Sequence, residues 1–333
     1  MISQETEEEI ESQILSPRIP SKMEKKEREP QNPFVVLLKL TGLYFGNRNK
    51  ENYWYYKENF WYYMGMLRAL IMCALASYQA AVIVYKLFTL KSTNEKIPNT
   101  IFIASWHIQA ALSMIFVVYW QLQGHLSQLF NVVNWPKANQ NLSTHRSIRF
   151  TLIILITFML FILIYITLNA YVLTTGKHKY FLTDLEFLEI FGTEQYRYFS
   201  VFVTYLASNI WLIVLVFYVI ISIIAHGEFV RFNHDLEKIG EIDEEEESIR
   251  DQLLEEYSDH INKAKMVRII DHTFEVYTFL MIGLNIPTTI FGIISCFTAP
   301  TTEQLLLALP APIFCILQLV GLTAVPARVH TAV

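Results

Sequence analysis

Apolar residues in this chain gather into long runs. Six of them approach or exceed the ~20 residues a helix needs to cross a bilayer. They lie at about 69–87, 101–122, 150–174, 199–224, 276–297 and 305–325, and the fourth, Phe199–Ile224, carries no charge at all. The pattern predicts an all-α fold, a polytopic membrane helix bundle with six transmembrane helices.

Between the fourth and fifth runs the pattern changes. Phe229, Phe232, Leu236, Ile239 and Ile242 are spaced by three or four, as are Ile249, Leu253, Tyr257, Ile261, Ala264, Val267 and Ile270. This is helical periodicity. Gly240 and the acidic block Glu241–Glu247 separate the two stripes. Spans 4 and 5 are therefore expected to continue past the bilayer as a long helical hairpin, the arm 226–271, with a solvated acidic tip. The glycine and ligand spacing of an EF-hand is missing from that tip.

The rest of the chain follows in order. Residues 1–33, rich in Glu, Lys, Pro and Ser, read as disordered. Residues 34–60 combine a short apolar stretch with Tyr53, Trp54, Tyr55, Tyr56 and Phe60, and the aromatic run continues through Trp61, Tyr62 and Tyr63. Such rings suit the headgroup region, so this is an interfacial or packed helix before the membrane. The transmembrane domain covers 61–325, and 326–333 forms a short tail.

Composition agrees with this picture. The 333-residue chain is 53% hydrophobic and 14% aromatic, with a mean hydropathy of +0.31. The net charge is −5 and no basic stripe stands out, so no nucleic-acid partner is expected. Cys73, Cys296 and Cys315 all sit in apolar runs, which argues against a disulfide framework or a CxxC site. The N-terminus lacks the apolar core of a cleavable signal, leaving the first span as the insertion signal. No GxSxG, P-loop, HExxH or glycine-rich dinucleotide loop occurs, so neither an enzyme activity nor a cofactor or metal is expected. His272 and Glu275, one turn apart at the mouth of span 5, are accounted for by capping and hydration.

Lys and Arg set the orientation. With a cytoplasmic N-terminus, the inner segments 41–60, 123–149 and 227–271 and the tail hold most of the loop cations, including Arg48, Lys137, Arg149, Arg250 and Arg268. The outer side holds Lys86, Lys91, Lys96, Lys177, Lys179 and Arg197. The N-terminus is thus expected inside, in a multi-pass protein of the plasma membrane. The glycosylation sequon at Asn141 dissents, because this orientation places it in the cytoplasm.

Polar groups inside a bilayer are expensive and mark sites of function. In this orientation the outer half of the bundle collects Trp106, His107 and Gln109 from span 2, Tyr165, Asn169 and Tyr171 from span 3, and Tyr205 and Asn209 from span 4. Together they make an aromatic-lined small-molecule pocket with a few hydrogen-bonding groups. Taken singly, Asn169 and Asn209 suit interhelical hydrogen bonds. His107 alone suits packing, and Tyr198 and Trp211 suit belt or packing positions. Asn285 and Pro287 mark a kink in span 5 and a candidate gating hinge, the Asn meeting backbone groups freed by the proline.

Three stretches, AHGEFVRFNHDL (Ala225–Leu236), EEYSDHINKAKMVRIIDHTF (Glu255–Phe274) and LQLVGLTAVPARVH (Leu317–His330), add a resemblance. With the cytoplasmic-N topology and the long inner hairpin, the region Phe34–Val325 resembles the insect-type gustatory-receptor-like chemoreceptor superfamily, especially its nematode serpentine receptor class r members. The resemblance implies seven helices, with spans 4, 5 and 6 extended into a cytoplasmic anchor. It also implies homo- or hetero-tetramers around a pore lined by the seventh helix, and a small-molecule ligand in the outer half of the bundle. The Thr-Tyr…Gln-Phe signature of that helix is absent, so the sequence is expected to be truncated before it. Two alternatives stay open. One is a G-protein-coupled serpentine chemoreceptor, although the Asp-Arg-Tyr-like and Asn-Pro-x-x-Tyr-like motifs are not found. The other is a truncated, non-conducting accessory membrane protein. A transporter would show inverted repeats and paired broken helices, which are not seen.

Overall fold

In lipid every backbone N–H and C=O must be paired within the chain, and runs rich in Leu, Ile, Phe and Ala meet that demand as helices. The computed structural model describes residues 33–45, 55–89, 97–133, 142–175, 197–241, 246–297, 305 and 309–332. The described residues form eight α-helices and no strand. These are α1 (Pro33–Thr41), α2 (Tyr55–Thr89), α3 (Ile97–Leu122), α4 (His125–Val132), α5 (Leu142–Thr175), α6 (Arg197–Glu241), α7 (Glu246–Phe297) and α8 (Pro310–Ala332). Six of them, α2, α3, α5, α6, α7 and α8, are long and apolar enough to cross a membrane. The protein is a multi-pass helical membrane protein.

Helix α6 is the hub. It packs against α1, α2, α3, α5, α7 and α8, and 78% of its most apolar window is buried, against 17% for α5 and 22% for α7. That difference separates a central helix from peripheral ones. Ile153, Ile156, Leu160 and Ile164 of α5 and Phe279, Ile286, Ile290 and Phe297 of α7 form exposed apolar stripes. In water such patches drive association. In a bilayer they are the surface that meets acyl chains.

At 1.5 Å per residue, α6 is about 68 Å long and α7 about 78 Å, against a hydrocarbon thickness of ~30 Å. Their excess forms the antiparallel arm expected from the sequence. Phe229, Phe232, Met266 and Ile270 are buried there. The His260 ring lies 5.4 Å from Phe232, and Lys263 Nζ sits 4.7 Å from the centre of the Phe232 ring and 2.6 Å from Asp259 Oδ2. Most of the acidic tip, 242–245, lies outside the described residues, as do 1–32, with their expected disorder, and the sequon at Asn141.

The segment 34–60 divides in two. Helix α1 packs one face, Phe34 and Leu38, against the bundle and leaves Val36 and Leu40 exposed; Phe34 is stacked on Phe217 of α6 at 3.5 Å and 8°. Phe130 of the short helix α4 lies 5.8 Å from the same Phe217 ring. The turn after α1 is fixed by side chains from two spans. Phe45 N donates to Gln121 Oε1 (3.2 Å), Gln121 Nε2 donates to Leu43 O (3.0 Å), and Arg68 Nε donates to Gly42 O (3.0 Å). Gly42 takes φ +75° there, which a side chain would resist. From Tyr55 onward the aromatic stretch is continuous with the first span in α2. At the other end, α8 starts at Pro310, a favoured first-turn residue, and passes through the expected tail to Ala332. Val329 is buried, and Asn233 Nδ2 of α6 donates to Ala332 O at 3.1 Å.

Candidate functional site

The half of the bundle away from the arm contains an aromatic cluster built by four helices. Trp106 of α3 meets Trp211 of α6 edge to face, with ring centres 5.8 Å apart at 84°. Trp211 meets Phe314 of α8 at 5.1 Å and 83°. Phe314 meets Phe158 of α5 at 4.6 Å, and Phe102 flanks Trp106 at 5.5 Å. Trp211 is fully buried and Phe314 nearly so. Edge-to-face packing of this kind adds about 0.5–1.5 kcal/mol per pair beyond area burial.

Several polar atoms of this half have no partner. Trp106 Nε1, Trp211 Nε1, His107 Nε2 and Asn209 Oδ1 are buried without a hydrogen bond. Asn209 Nδ2 donates to Tyr205 O one turn earlier at 2.7 Å. His107 Nδ1 lies 2.9 Å from Ile103 O; a carbonyl only accepts, so Nδ1 carries the proton. Buried polar groups are paired in the great majority of cases, so four orphans in one half of a bundle are notable.

One turn away on both α3 and α8 lies a polar clasp. Gln109 Nε2 of α3 donates to Thr288 Oγ1 of α7 at 3.1 Å. Gln318 Nε2 of α8 donates to Gln109 Oε1 at 3.0 Å. Ser113 and Tyr277 approach to 3.2 Å between the same α3 and α7. Gln109, Thr288 and Gln318 are all essentially inaccessible. Gly292 permits the close approach, because a Cβ there would stand 3.2 Å from the Phe102 ring.

Of the residues expected to line a pocket, Trp106 therefore stands in the aromatic cluster and Gln109 in the clasp. Asn209 reaches back to Tyr205 within α6, and His107 to its own helix. The side chains of Tyr165, Asn169 and Tyr171 lie outside the described residues. Pro287 sits inside an unbroken α7. Asn285 does not meet the carbonyl that Pro287 frees. Its Nδ2 donates to Cys315 O of α8 at 2.8 Å. Asn285 is two residues from both Gly283 and Pro287, about 200° around the helix; it is buried toward α8, whereas Gly283 is exposed and Pro287 half-buried.

Sequence reasoning missed Gln79. It is buried in α2 and ties that helix to α6, with Nε2 donating to Ser200 Oγ at 3.3 Å and to Thr204 Oγ1. The rule that singled out Gln109 applies equally to Gln79, the sole amide in its span. Trp211, read as a belt or packing residue, is buried at the centre of the aromatic cluster. A separate cavity of about 220 Å³ lies toward the arm, lined by Tyr218, Asp271, Phe274, Glu275, Thr278 and Phe279. Asp271 and Glu275 are exposed, so this cavity is a hydrated mouth rather than a shielded site. No cluster of three or more metal-ligating side chains occurs among the described residues. The sequence matches no protein-family model, and no curated protein matches it.

Proposed function

We propose that this chain is a multi-pass chemosensory receptor of the gustatory-like kind, which binds a small molecule in the half of the bundle away from the arm and acts as a subunit of a ligand-gated cation channel. The observation that carries the reading is the aromatic cluster of Trp106, Trp211 and Phe314, with its unpartnered polar atoms, at the opposite end from a long α6–α7 hairpin. A binding region at one end and a rigid lever at the other suit a receptor that converts occupancy into movement. The Lys/Arg distribution favours a cytoplasmic N-terminus, which turns the cluster toward the outside and the hairpin toward the cytoplasm. In this reading the plasma membrane is the site of action, lipid is the solvent, and a homo- or hetero-tetramer is the working unit.

Two measurements test it. An epitope placed at the N-terminus should be inaccessible to antibody in unpermeabilised cells; surface labelling there would favour a G-protein-coupled topology. Expressed alone or with its partner subunits, the chain should yield ligand-dependent cation currents with G-protein signalling blocked. Currents that vanish under that block would overturn the channel reading.

A further inference from the structure

We propose that the short helix α4 is a proton-operated latch: when His125 of α4 and His272 of α7 both carry a proton, α4 swings away from α7, Phe130 leaves Phe34, and helix α1 loses part of its hold on the bundle. This is a regulatory device that does not depend on what the protein binds.

The attachment of α4 is what makes a latch of it. A single residue outside both helices' regular hydrogen bonding, Gly124, leads into α4 with φ +77° and nothing within 4 Å of where a Cβ would stand. Glycine holds such a φ without strain, so the joint is narrow and uncrowded. Leu126 and Leu129 seat α4 on the bundle. Ring contacts mark its two ends. At the start, His125 meets His272 with ring centres 5.4 Å apart at 79° and Tyr119 of α3 at 6.1 Å. Toward the end, Phe130 meets Phe34 of α1 at 6.2 Å and Phe217 of α6 at 5.8 Å. Phe34, Phe130 and Phe217 form one cluster, so the position of α4 bears directly on that of α1.

The surroundings of His125 suit a neutral imidazole and resist a charged one. It is the first residue of α4, where the helix dipole is positive. Neither α3 nor α4 carries an Asp, Glu, Lys or Arg, and Tyr119 offers a neutral ring. Helices α1 and α6 reach α4 through Phe34 and Phe217, which are uncharged. On α7 the ionisable groups near the contact are Arg268, Asp271, His272 and Glu275, and the charge of His272 is the one that acts on His125. A proton on each ring sets two like charges against each other across the contact, a repulsion worth about tenfold in an equilibrium at this separation. Burial, and then the charge of His272, lower the His125 pKa from the ordinary 6.5. The closed latch is therefore stable above that value and loses stability as pH falls below it.

Hydrogen exchange of the purified full chain in lipid nanodiscs tests the latch, read by mass spectrometry at about pH 7.5 and 5.5 and corrected for the chemical exchange rate at each pH. Peptides covering 125–133 and 33–41 should lose about tenfold in protection at the lower pH, whereas peptides covering 207–221 of α6 should keep theirs. His125→Gln should remove the pH dependence from both peptides. His272→Gln should do the same, and serves if His125→Gln fails to fold. His125→Arg, charged at either pH, should show the open level already at the higher one. Wild-type protection of 125–133 that does not change with pH would overturn the proposal. So would a loss that persists in both glutamine variants, a loss that α6 shares, or a loss confined to α4 with α1 unmoved, because the latch would then hold nothing.

Discussion

Gln109 offers the sharpest test of how the bundle is held. Its carboxamide bridges three helices, donating to Thr288 and accepting from Gln318, and it is shielded from solvent on every side. Gln109→Leu keeps the volume close to native and deletes both bonds. Interhelical hydrogen bonds in membrane proteins are worth about 0.6 kcal/mol on average and ~1.7 at most, so the pair accounts for about 1–2 kcal/mol. The substitution also strands Gln318. Its Oε1 already lacks a partner, and its Nε2 would then lose its acceptor too, adding about 1–3 kcal/mol. The expected loss is about 2–5 kcal/mol. The double variant Gln109→Leu/Gln318→Leu removes both stranded groups and should recover much of it, giving a coupling of roughly 2 kcal/mol. Reversible unfolding of the purified chain in mixed detergent micelles reads these differences. A Gln109→Leu variant within about 0.5 kcal/mol of wild type, or a double variant equal to the sum of the singles, would refute the reasoning.

Three other outcomes follow. A Cβ at Gly227 would stand 2.5 Å from Thr144 Oγ1 between α6 and α5, so Gly227→Val should cost about 1–3 kcal/mol by overpacking, with partial rescue by Thr144→Ala in thermal melts. Phe34→Ala removes a ring stacked on Phe217 and should destabilise by about 3–5 kcal/mol, with proteolysis near α1 appearing before global unfolding. His125 touches His272, with ring centres 5.4 Å apart, and Tyr119; burial first, then the charge of the neighbouring imidazole, lowers its pKa from the ordinary 6.5. A lowered folded pKa means that the unfolded chain binds more protons as pH falls through that ordinary value, so stability present above it is lost on acidification. Melting temperatures measured at about pH 7.5 and 5.5 should differ less for His125→Gln than for wild type.

The spans and the arm were legible because each rests on a one-dimensional signal, run length for the first and a three-to-four spacing for the second. Run length does not report which face of a helix turns inward. Gln109 was read as a pocket residue, whereas its partners Thr288 and Gln318 are distant in sequence and depend on how α3, α7 and α8 rotate against each other. Asn285 shows the same limit. Its neighbour Pro287 suggested a local role, and the helical angle between them sends its side chain to α8 instead. Helix α1 was too short to read as a span, and only tertiary packing on Phe217 shows that one of its faces is seated on the bundle. The ends of α2 and α8 extend beyond their hydrophobic runs because a helix continues wherever packing supports it, not only where the bilayer does.

The stacking of Phe34 on Phe217 sets an order of events during synthesis. Helix α1 leaves the ribosome before α2, α3 and α5, while its seat on α6 appears only after those three spans have been inserted. Until then the apolar face of α1 has no permanent shelter. Closing so long a loop is slow relative to local helix formation. The first of the described helices to be made is thus among the last to find its place, and in the interval it is the natural target of a chaperone or a protease.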